Sequence, residues 1–187
     1  MCGIVGKVSL CRCKENQIVE PLKALRHRGP NHQSYFYTTN AILGHTRLSI
    51  IDVQNGNQPM HFLFQNKKFI IVYNGEVYNF KILRKELISM GLEFETDSDT
   101  EVVLKWLVHK GIEKGIQSLN GMFAIALYNE TDQELYLIRD RMGIKPLYFS
   151  INNGSLFFAS ELDAITKFDE IEAKINLSAI EQFLYFG

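Results

Sequence analysis

The second residue of the chain, Cys2, would carry two reactive groups once the preceding Met1 is removed. Removal leaves a thiol and a free α-amine on the same residue. An α-amine titrates near pH ~7.7–8 and a thiol near ~8.5, so the amine can serve as a base at neutral pH. An N-terminal residue of this kind can supply both nucleophile and base. The alternative is that a start codon precedes this cysteine by chance, and the position alone does not decide between the two.

Seven further motifs follow Met1-Cys2-Gly3-Ile4-Val5-Gly6 along the chain. They are Arg26-His27-Arg28-Gly29-Pro30, Gly44-His45-Thr46-Arg47-Leu48-Ser49-Ile50-Ile51-Asp52, Tyr73-Asn74-Gly75-Glu76-Val77-Tyr78-Asn79, Ser98-Asp99-Thr100-Glu101, Leu119-Asn120-Gly121-Met122-Phe123-Ala124, Arg139-Asp140-Arg141-Met142-Gly143-Ile144-Lys145-Pro146-Leu147-Tyr148 and Phe158-Ala159-Ser160-Glu161. In this order they resemble the class II, N-terminal nucleophile family of glutamine amidotransferase domains, as found in glutamine-hydrolysing asparagine synthetases. The resemblance covers nearly the whole chain, so residues 1–187 are interpreted as one glutaminase domain.

The resemblance implies that glutamine is hydrolysed to glutamate and ammonia through a γ-glutamyl thioester on Cys2. Such a reaction needs donors for a tetrahedral oxyanion. Asn74 and Gly75 are predicted to supply a side-chain amide and a backbone N–H that converge on one oxygen, and Gly75 has no Cβ in the way. The competing interpretation is a hairpin turn, because Asn-Gly is a frequent two-residue turn.

The substrate's α-carboxylate and α-ammonium require separate partners. Arg47 can bind the carboxylate through its planar guanidinium, although a surface arginine at a strand end is the alternative. By resemblance, the backbone of Leu48, Ile50 and Ile51 lines the same pocket. Glu76 and Asp99 are the acidic partners expected near the ammonium.

Residues 98–101 also have the pattern of a helix capping box. In that arrangement Ser98 caps the helix and Glu101 reaches back to the Ser98 backbone. The two interpretations are compatible, because Asp99 could project into the pocket from a helix whose start the cap fixes. A carboxylate that merely interacts with the helix dipole is the alternative for Asp99.

Composition and charge exclude several other classes. The formal net charge of −1 gives no basis for binding nucleic acid or an anionic membrane. No apolar stretch approaches the ~18–20 residues that cross a bilayer, and no secretory signal is visible. The odd cysteine count predicts a reducing, cytoplasmic location. Cys11 and Cys13 are predicted to lie in a surface turn, because zinc sites need four ligands in paired spacings.

The histidines form no dyad-like pattern and are predicted to be structural or solvent-facing. Trp106, in a helical run, is predicted to be a core residue. The segments 26–30 and 139–148 are predicted to form rigid walls near Cys2, with no catalytic role. No cofactor or metal is expected in this domain.

Periodicity predicts strands and helices in an α+β arrangement. The predicted strands are 3–10, 33–38, 41–47, 68–74, 121–128, 134–139, 147–150 and 155–159. The predicted helices are 18–27, 79–90, 99–110, 112–118 and 178–186. Asn153-Gly154 predicts a hairpin turn, and Gly91 a helix end. The resemblance further implies the four-layer αββα sandwich of mostly antiparallel sheets seen in N-terminal nucleophile hydrolases, with Cys2 at the end of a buried strand.

Within the family, residues 26–30 and 44–52 favour the asparagine synthetase branch, although Asn31 replaces the acidic residue usual there. That branch implies a following synthetase domain that uses ATP and Mg²⁺ to pass the ammonia to an activated aspartate. Its Ser-Gly-Gly loop is absent from this sequence, and we expect the chain to be an excised glutaminase half. The apolar residues 184–186 would then be exposed or buried in a homo-oligomer contact. A non-catalytic regulatory domain of the same fold, an amide hydrolase of other specificity and a different ammonia acceptor are the alternatives.

Overall fold

The computed structural model describes residues 1–49, 52 and 54–186 of the chain. The strands are β1 (Gly3–Ser9), β2 (His32–Tyr37), β3 (Ala41–Arg47), β4 (Met60–Phe64), β5 (Lys67–Val77), β6 (Gly121–Asn129), β7 (Glu134–Arg139), β8 (Tyr148–Asn152) and β9 (Ser155–Ala159). The helices are α1 (Val19–Ala24, after a 3₁₀ turn at Glu15–Ile18), α2 (Phe80–Ser89), α3 (Asp99–Lys110), α4 (Ile112–Gln117), α5 (Leu162–Thr166) and α6 (Leu177–Phe186).

The strands form two sheets in which neighbours pair antiparallel. The first sheet has the order β2-β3-β1-β9-β8, with β1 central, and the second has the order β4-β5-β6-β7. Gly3 pairs with Thr46, so the residue before β1 lies beside the end of β3. The prediction that Cys2 lies at the end of a buried strand is confirmed.

Alternation along β5 divides its side chains between two cores. Ile70 and Val72 pack with Ile4 of β1 between the sheets, whereas Ile71 and Tyr73 pack with the helices α2 and α3 on the outer face. A third core lies between the first sheet and the helices α1 and α5. The layers are therefore helix, sheet, sheet and helix, and the predicted αββα sandwich is confirmed.

Several local predictions are also confirmed. Asn153 and Gly154 both have positive φ (48° and 72°) between β8 and β9, as a type I′ hairpin requires. Gly91, with φ 89°, follows the end of α2. Trp106 is buried in the core beneath the second sheet. The sequence periodicity did not predict the strand β4 or the helix α5.

The sequence prediction for the cysteines is partly corrected. Cys11 is exposed in a turn after β1, but Cys13 is fully buried, and burial raises the pKa of its thiol. A buried thiol with a raised pKa is unreactive. Within the described part of the chain, no group of three or more His, Cys, Asp or Glu could hold a metal ion.

The last helix, α6, leaves its apolar side chains exposed. Leu184, Tyr185 and Phe186 are 76%, 85% and 88% exposed, so the predicted exposure of these residues is confirmed. No helix among the described residues has both the length and the apolar character needed to cross a membrane.

Candidate active site

Cys2 is half-buried, and its thiol contacts the backbone of Leu48 just after β3. The Leu48 N–H donates to Cys2 Sγ at 3.4 Å, and the thiol donates to the Leu48 carbonyl at 3.7 Å. The end of β3 therefore positions the sulfur.

The segment 26–30 fixes the backbone of Cys2 from the other side. Arg28 is buried, and its Nε donates to the Cys2 carbonyl at 2.9 Å while Nη1 pairs with Glu161 at 2.8 Å. A Cβ on Gly29 would lie 2.3 Å from the Thr46 carbonyl carbon, so only glycine lets this loop approach β3. These contacts agree with the predicted role of the segment as a rigid wall.

A cavity of about 120 Å³ opens beside Cys2. Seven residues predicted for the site line it together: Cys2, Arg47, Leu48, Asn74, Gly75, Glu76 and Asp99. The other two, Ile50 and Ile51, lie outside the described residues. The remaining lining residues, for which the sequence predicted no site role, are Met1, Gly56, Gln58, Tyr73, Ser98, Thr100, Met122 and Lys145. The structure thus brings residues from six separate motifs around one cavity.

Asn74 and Gly75 lie within β5, so the hairpin-turn interpretation is wrong. A Cβ on Gly75 would lie 2.3 Å from the Met122 carbonyl oxygen and 2.7 Å from Phe123 Cα. Glycine is therefore required here by the close approach of β6, a reason that differs from the predicted one of clearing space for the substrate.

The N–H of Gly75 points away from β6. Its pairing partner, Phe123, directs both its N–H and its carbonyl at Asp140 on the far side, at 3.2 and 2.9 Å. The N–H groups of Tyr73 and Val77, two residues away on either side, donate to Gln58 and Asp99 on the cavity edge of β5. Because alternate N–H groups of a strand share an edge, the Gly75 N–H lies on that edge too.

The Asn74 side chain is buried, with 2% of its surface exposed. Its Nδ2 is one of a few buried polar atoms in the described residues that have no hydrogen-bond partner. A buried donor without an acceptor costs about 1–3 kcal/mol. An acceptor bound in the cavity would remove that cost, which makes Nδ2 a donor held ready for a ligand.

Asp99, the first residue of α3, is buried beneath the cavity. Its Oδ2 accepts from the Tyr73 hydroxyl at 2.7 Å and from the Val77 N–H at 3.2 Å. Burial raises the pKa of Asp99, and burial together with this carboxylate raises the pKa of Tyr73. Glu76, by contrast, is an exposed residue at the rim. The two predicted acidic partners therefore lie at different depths.

The predicted capping box is only half formed. Ser98 Oγ accepts from the Glu101 N–H at 3.3 Å, as predicted. The Glu101 carboxylate does not return to Ser98, because it accepts from the Thr96 N–H at 2.7 Å and pairs with Lys105 at 2.6 Å. These partners hold the segment before α3 against the helix.

Arg47 ends β3 as a buried residue at the cavity wall. Its Nη1 donates to Asn57 Oδ1 at 2.8 Å, and its Nη2 donates to the Asp52 carbonyl. Asp52 in turn accepts from the Asp97 N–H at 2.8 Å, beside the start of α3. These contacts fix the guanidinium at the cavity wall and link it, through Asp52, to the segment before α3.

Gln58 is a site residue that sequence reasoning missed. Its Oε1 accepts from the Tyr73 N–H at 2.6 Å, and its Nε2 donates to the Tyr73 carbonyl and to Thr100 Oγ1 at 3.1 and 3.2 Å. The side chain acts as a strand partner where β4 does not extend along β5. No local motif signals this role, because it depends on contacts across the fold.

His45 is fully buried, with its Nε2 3.2 Å from the Tyr73 carbonyl. Burial lowers its pKa to about 3, so the ring is neutral in the folded protein at neutral pH. These features agree with the predicted structural role.

We expect His45 to make the folded state less stable in acid. Below pH ~6.5 His45 binds a proton in the unfolded chain, whereas in the folded chain it binds one only when the pH falls to about 3. The free energy of unfolding should fall by about 1.4 kcal/mol per pH unit within this window because of this group. Denaturant titrations at several pH values should show this extra slope in the wild type and not in His45→Gln. Equal slopes would contradict the assignment.

The comparisons with known proteins agree on one family. A family model described as a glutamine amidotransferase domain matches residues 1–187. Asparagine synthetase (glutamine-hydrolysing) 1 of Bacillus subtilis is 39% identical over 100% of this chain and 30% of its own length. Asparagine synthetase B (glutamine-hydrolysing) of Escherichia coli is 40% identical over 88% of this chain and 30% of its own length. The chain thus spans about 30% of the curated relatives it matches.

Solved structures show the same fold. Glutamine phosphoribosylpyrophosphate amidotransferase from B. subtilis, in complex with ADP and GMP, superposes with a TM-score of 0.78 at 23% identity. The match covers 88% of this chain and 43% of that one.

Proposed function

The chain belongs to the glutamine amidotransferase domain family, and from this premise we propose that it hydrolyses glutamine to glutamate and ammonia with Cys2 as the nucleophile. The observation that carries the proposal is the unpartnered, buried Nδ2 of Asn74 in the cavity that also contains Cys2 and Gly75. The Gly75 N–H lies on the same edge of β5. Two such donors stabilise the oxyanion that forms when sulfur attacks an amide carbonyl.

Glutamine recognition is proposed to use other residues that line the same cavity. The fixed guanidinium of Arg47 donates hydrogen bonds to the α-carboxylate, since its plane matches two carboxylate oxygens. Asp99 and Glu76 face the α-ammonium, with Asp99 oriented by Tyr73 and Val77. Leu48 contributes backbone beside the sulfur, and the same role for Ile50 and Ile51 stays a prediction.

Acylation begins when the thiol proton passes to the free α-amine of Cys2, directly or through water. The sulfur forms a bond with the amide carbon, and the π electron pair of the carbonyl moves to its oxygen. Asn74 Nδ2 and the Gly75 N–H bind that oxyanion. When the intermediate collapses, the C–N bond breaks, the nitrogen takes the proton from the α-ammonium, and ammonia leaves a γ-glutamyl thioester behind.

Deacylation repeats these steps with water. The α-amine takes a proton from the attacking water, whose oxygen bonds to the thioester carbon. The same donors hold the second oxyanion. Collapse breaks the C–S bond, the sulfur recovers the proton, and glutamate is released.

This scheme requires removal of Met1. While Met1 is present the Cys2 nitrogen is part of a peptide bond and cannot accept a proton. The Met1 side chain also lines the cavity beside Cys2, where the substrate would lie.

The destination of the ammonia is proposed from the relatives. Their names describe glutamine-hydrolysing asparagine synthetases, so we propose that a synthetase domain consumes the ammonia to make asparagine from aspartate. ATP and Mg²⁺ would serve that domain and not this one. A cytoplasmic location and a homo-oligomeric state stay predictions.

The direct test incubates protein whose Met1 removal has been verified by mass with glutamine, and measures glutamate and ammonia. Equal amounts of both products are expected. A non-catalytic domain would release neither. An amide hydrolase of other specificity would act on amides that lack the α-carboxylate and α-ammonium as fast as on glutamine. Either result would overturn the proposal.

A further inference from the structure

The segment 139–148 fixes the backbone of one residue that lines the cavity, Lys145, through hydrogen bonds to both of its backbone polar groups. Asp140 accepts from the Lys145 N–H at 3.0 Å, and Arg139 Nε donates to the Lys145 carbonyl at 2.7 Å. Asp140 also binds the Ile144 N–H at 2.9 Å. Both backbone groups of Lys145 are therefore fixed, and its side chain lines the cavity of Cys2.

The Lys145 side chain is buried without a counter-ion. The residue is 7% exposed, and its Nζ lies 3.4 Å from Met1 Sδ, a weak acceptor. The two other buried lysines in the described chain, Lys7 and Lys105, each have a carboxylate at 2.6 Å. No carboxylate of the described residues lies within the 4.0 Å ion-pair limit of Lys145 Nζ. A buried cation without a partner is costly, so its position calls for a functional reason.

The location of Met1 shows what Lys145 faces. The backbone of Met1 forms the peptide bond to the Cys2 nitrogen, and the sulfur of its side chain lies 3.4 Å from Lys145 Nζ. Removing Met1 leaves Lys145 without its sulfur contact and places a new amine in the same cavity. The lysine and that amine then belong to residues that line the same cavity.

The other charged and titratable groups around this space come from several elements of the fold. They are Arg47 on β3, Tyr73 and Glu76 on β5, Asp99 on α3, the Cys2 thiol, and Arg28 behind the Cys2 carbonyl. Arg28 is balanced by Glu161, Arg47 is held by Asn57 and Asp52, and Asp99 by Tyr73. His45, below Tyr73, is neutral. Asp99 and Glu76 are the carboxylates that line the cavity with Lys145, and neither lies within 4.0 Å of its Nζ.

We propose that Lys145 is a positioning residue whose ammonium keeps the Cys2 α-amine in the neutral, proton-accepting form. The proposal rests on the proposed function, in which that amine is the base. A like charge nearby disfavours the protonated amine. The same repulsion promotes transfer of the proton from the α-ammonium to the departing nitrogen.

The test compares Lys145→Met with Lys145→Arg in protein that has lost Met1. The acid limb of the kcat/KM profile should move to higher pH by about one unit in Lys145→Met, because removing a like charge raises the pKa of the α-amine. Activity well below the wild-type midpoint should then fall about tenfold, and it should recover at higher pH. Lys145→Arg keeps the charge and should keep the wild-type limb. Lys85→Met removes an exposed lysine of α2 and should have no effect.

A second readout does not depend on turnover. NMR of protein labelled with ¹³C-cysteine reports the titration of the Cys2 α-amine, with the signal assigned by its loss in Cys2→Ala. The midpoint should rise in Lys145→Met and not in Lys145→Arg. Equal midpoints in wild type and Lys145→Met would overturn the inference even if glutamine is hydrolysed. If the midpoint rises in Lys145→Met but the wild-type protein hydrolyses no glutamine, the inference is supported and the proposed function is overturned.

Discussion

Replacing Cys2 by Ala should abolish glutamine hydrolysis and leave the fold intact. Alanine has no nucleophile, and no other thiol lines the cavity among the described residues. The loss to stability should be small, since the described contacts of the Cys2 thiol are with the backbone of one residue, Leu48. Glutamate release measures the first effect, and thermal unfolding measures the second.

The matched control for this variant is Cys11→Ala. Cys11 is an exposed cysteine outside the cavity, and its removal should leave glutamate release unchanged. Turnover that persists in Cys2→Ala would contradict the assignment of the nucleophile. Turnover lost in both variants would indicate a general effect of thiol removal.

Replacing Asn74 by Ala should lower kcat by about 10²–10³, or ~2.7–4 kcal/mol of transition-state stabilisation. The donor matters most when the carbonyl oxygen carries the negative charge, so KM should change little. Steady-state kinetics with glutamine separates the two constants.

Arg47→Ala is the contrast for Asn74→Ala. Its guanidinium binds the carboxylate in ground state and transition state alike, so its loss should mainly raise KM. A charged hydrogen bond worth about 1.5–3 kcal/mol corresponds to a rise of roughly 10–100-fold. If Asn74→Ala raised KM and Arg47→Ala lowered kcat, the two roles would have been exchanged.

Local chemistry explains which elements the sequence could predict. Asn153-Gly154 and Gly91 need positive φ, and Ser98 caps α3 through its own hydroxyl. In β4 the alternation is obscured because Leu63 is apolar yet 69% exposed. The helix α5 has five residues, too few to show a period of 3.6.

Contacts across the fold explain what could not be predicted in the site. Glu101 has the spacing for a capping box, but the Thr96 N–H and Lys105 compete for its carboxylate. Gly75 looks like a turn residue until β6 is placed beside it. Gln58 pairs with a backbone fifteen residues away, which no short motif encodes.

The measurement that tests the central claim most directly compares chains with and without Met1. Two preparations are made, one fully processed and one that retains Met1, with intact mass giving the fraction processed in each. Glutamate release, and the γ-glutamyl adduct trapped on Cys2 by acid quenching, should scale with the processed fraction and vanish when every chain keeps Met1. Full turnover by protein that keeps Met1 on every molecule would contradict the α-amine of Cys2 as the base.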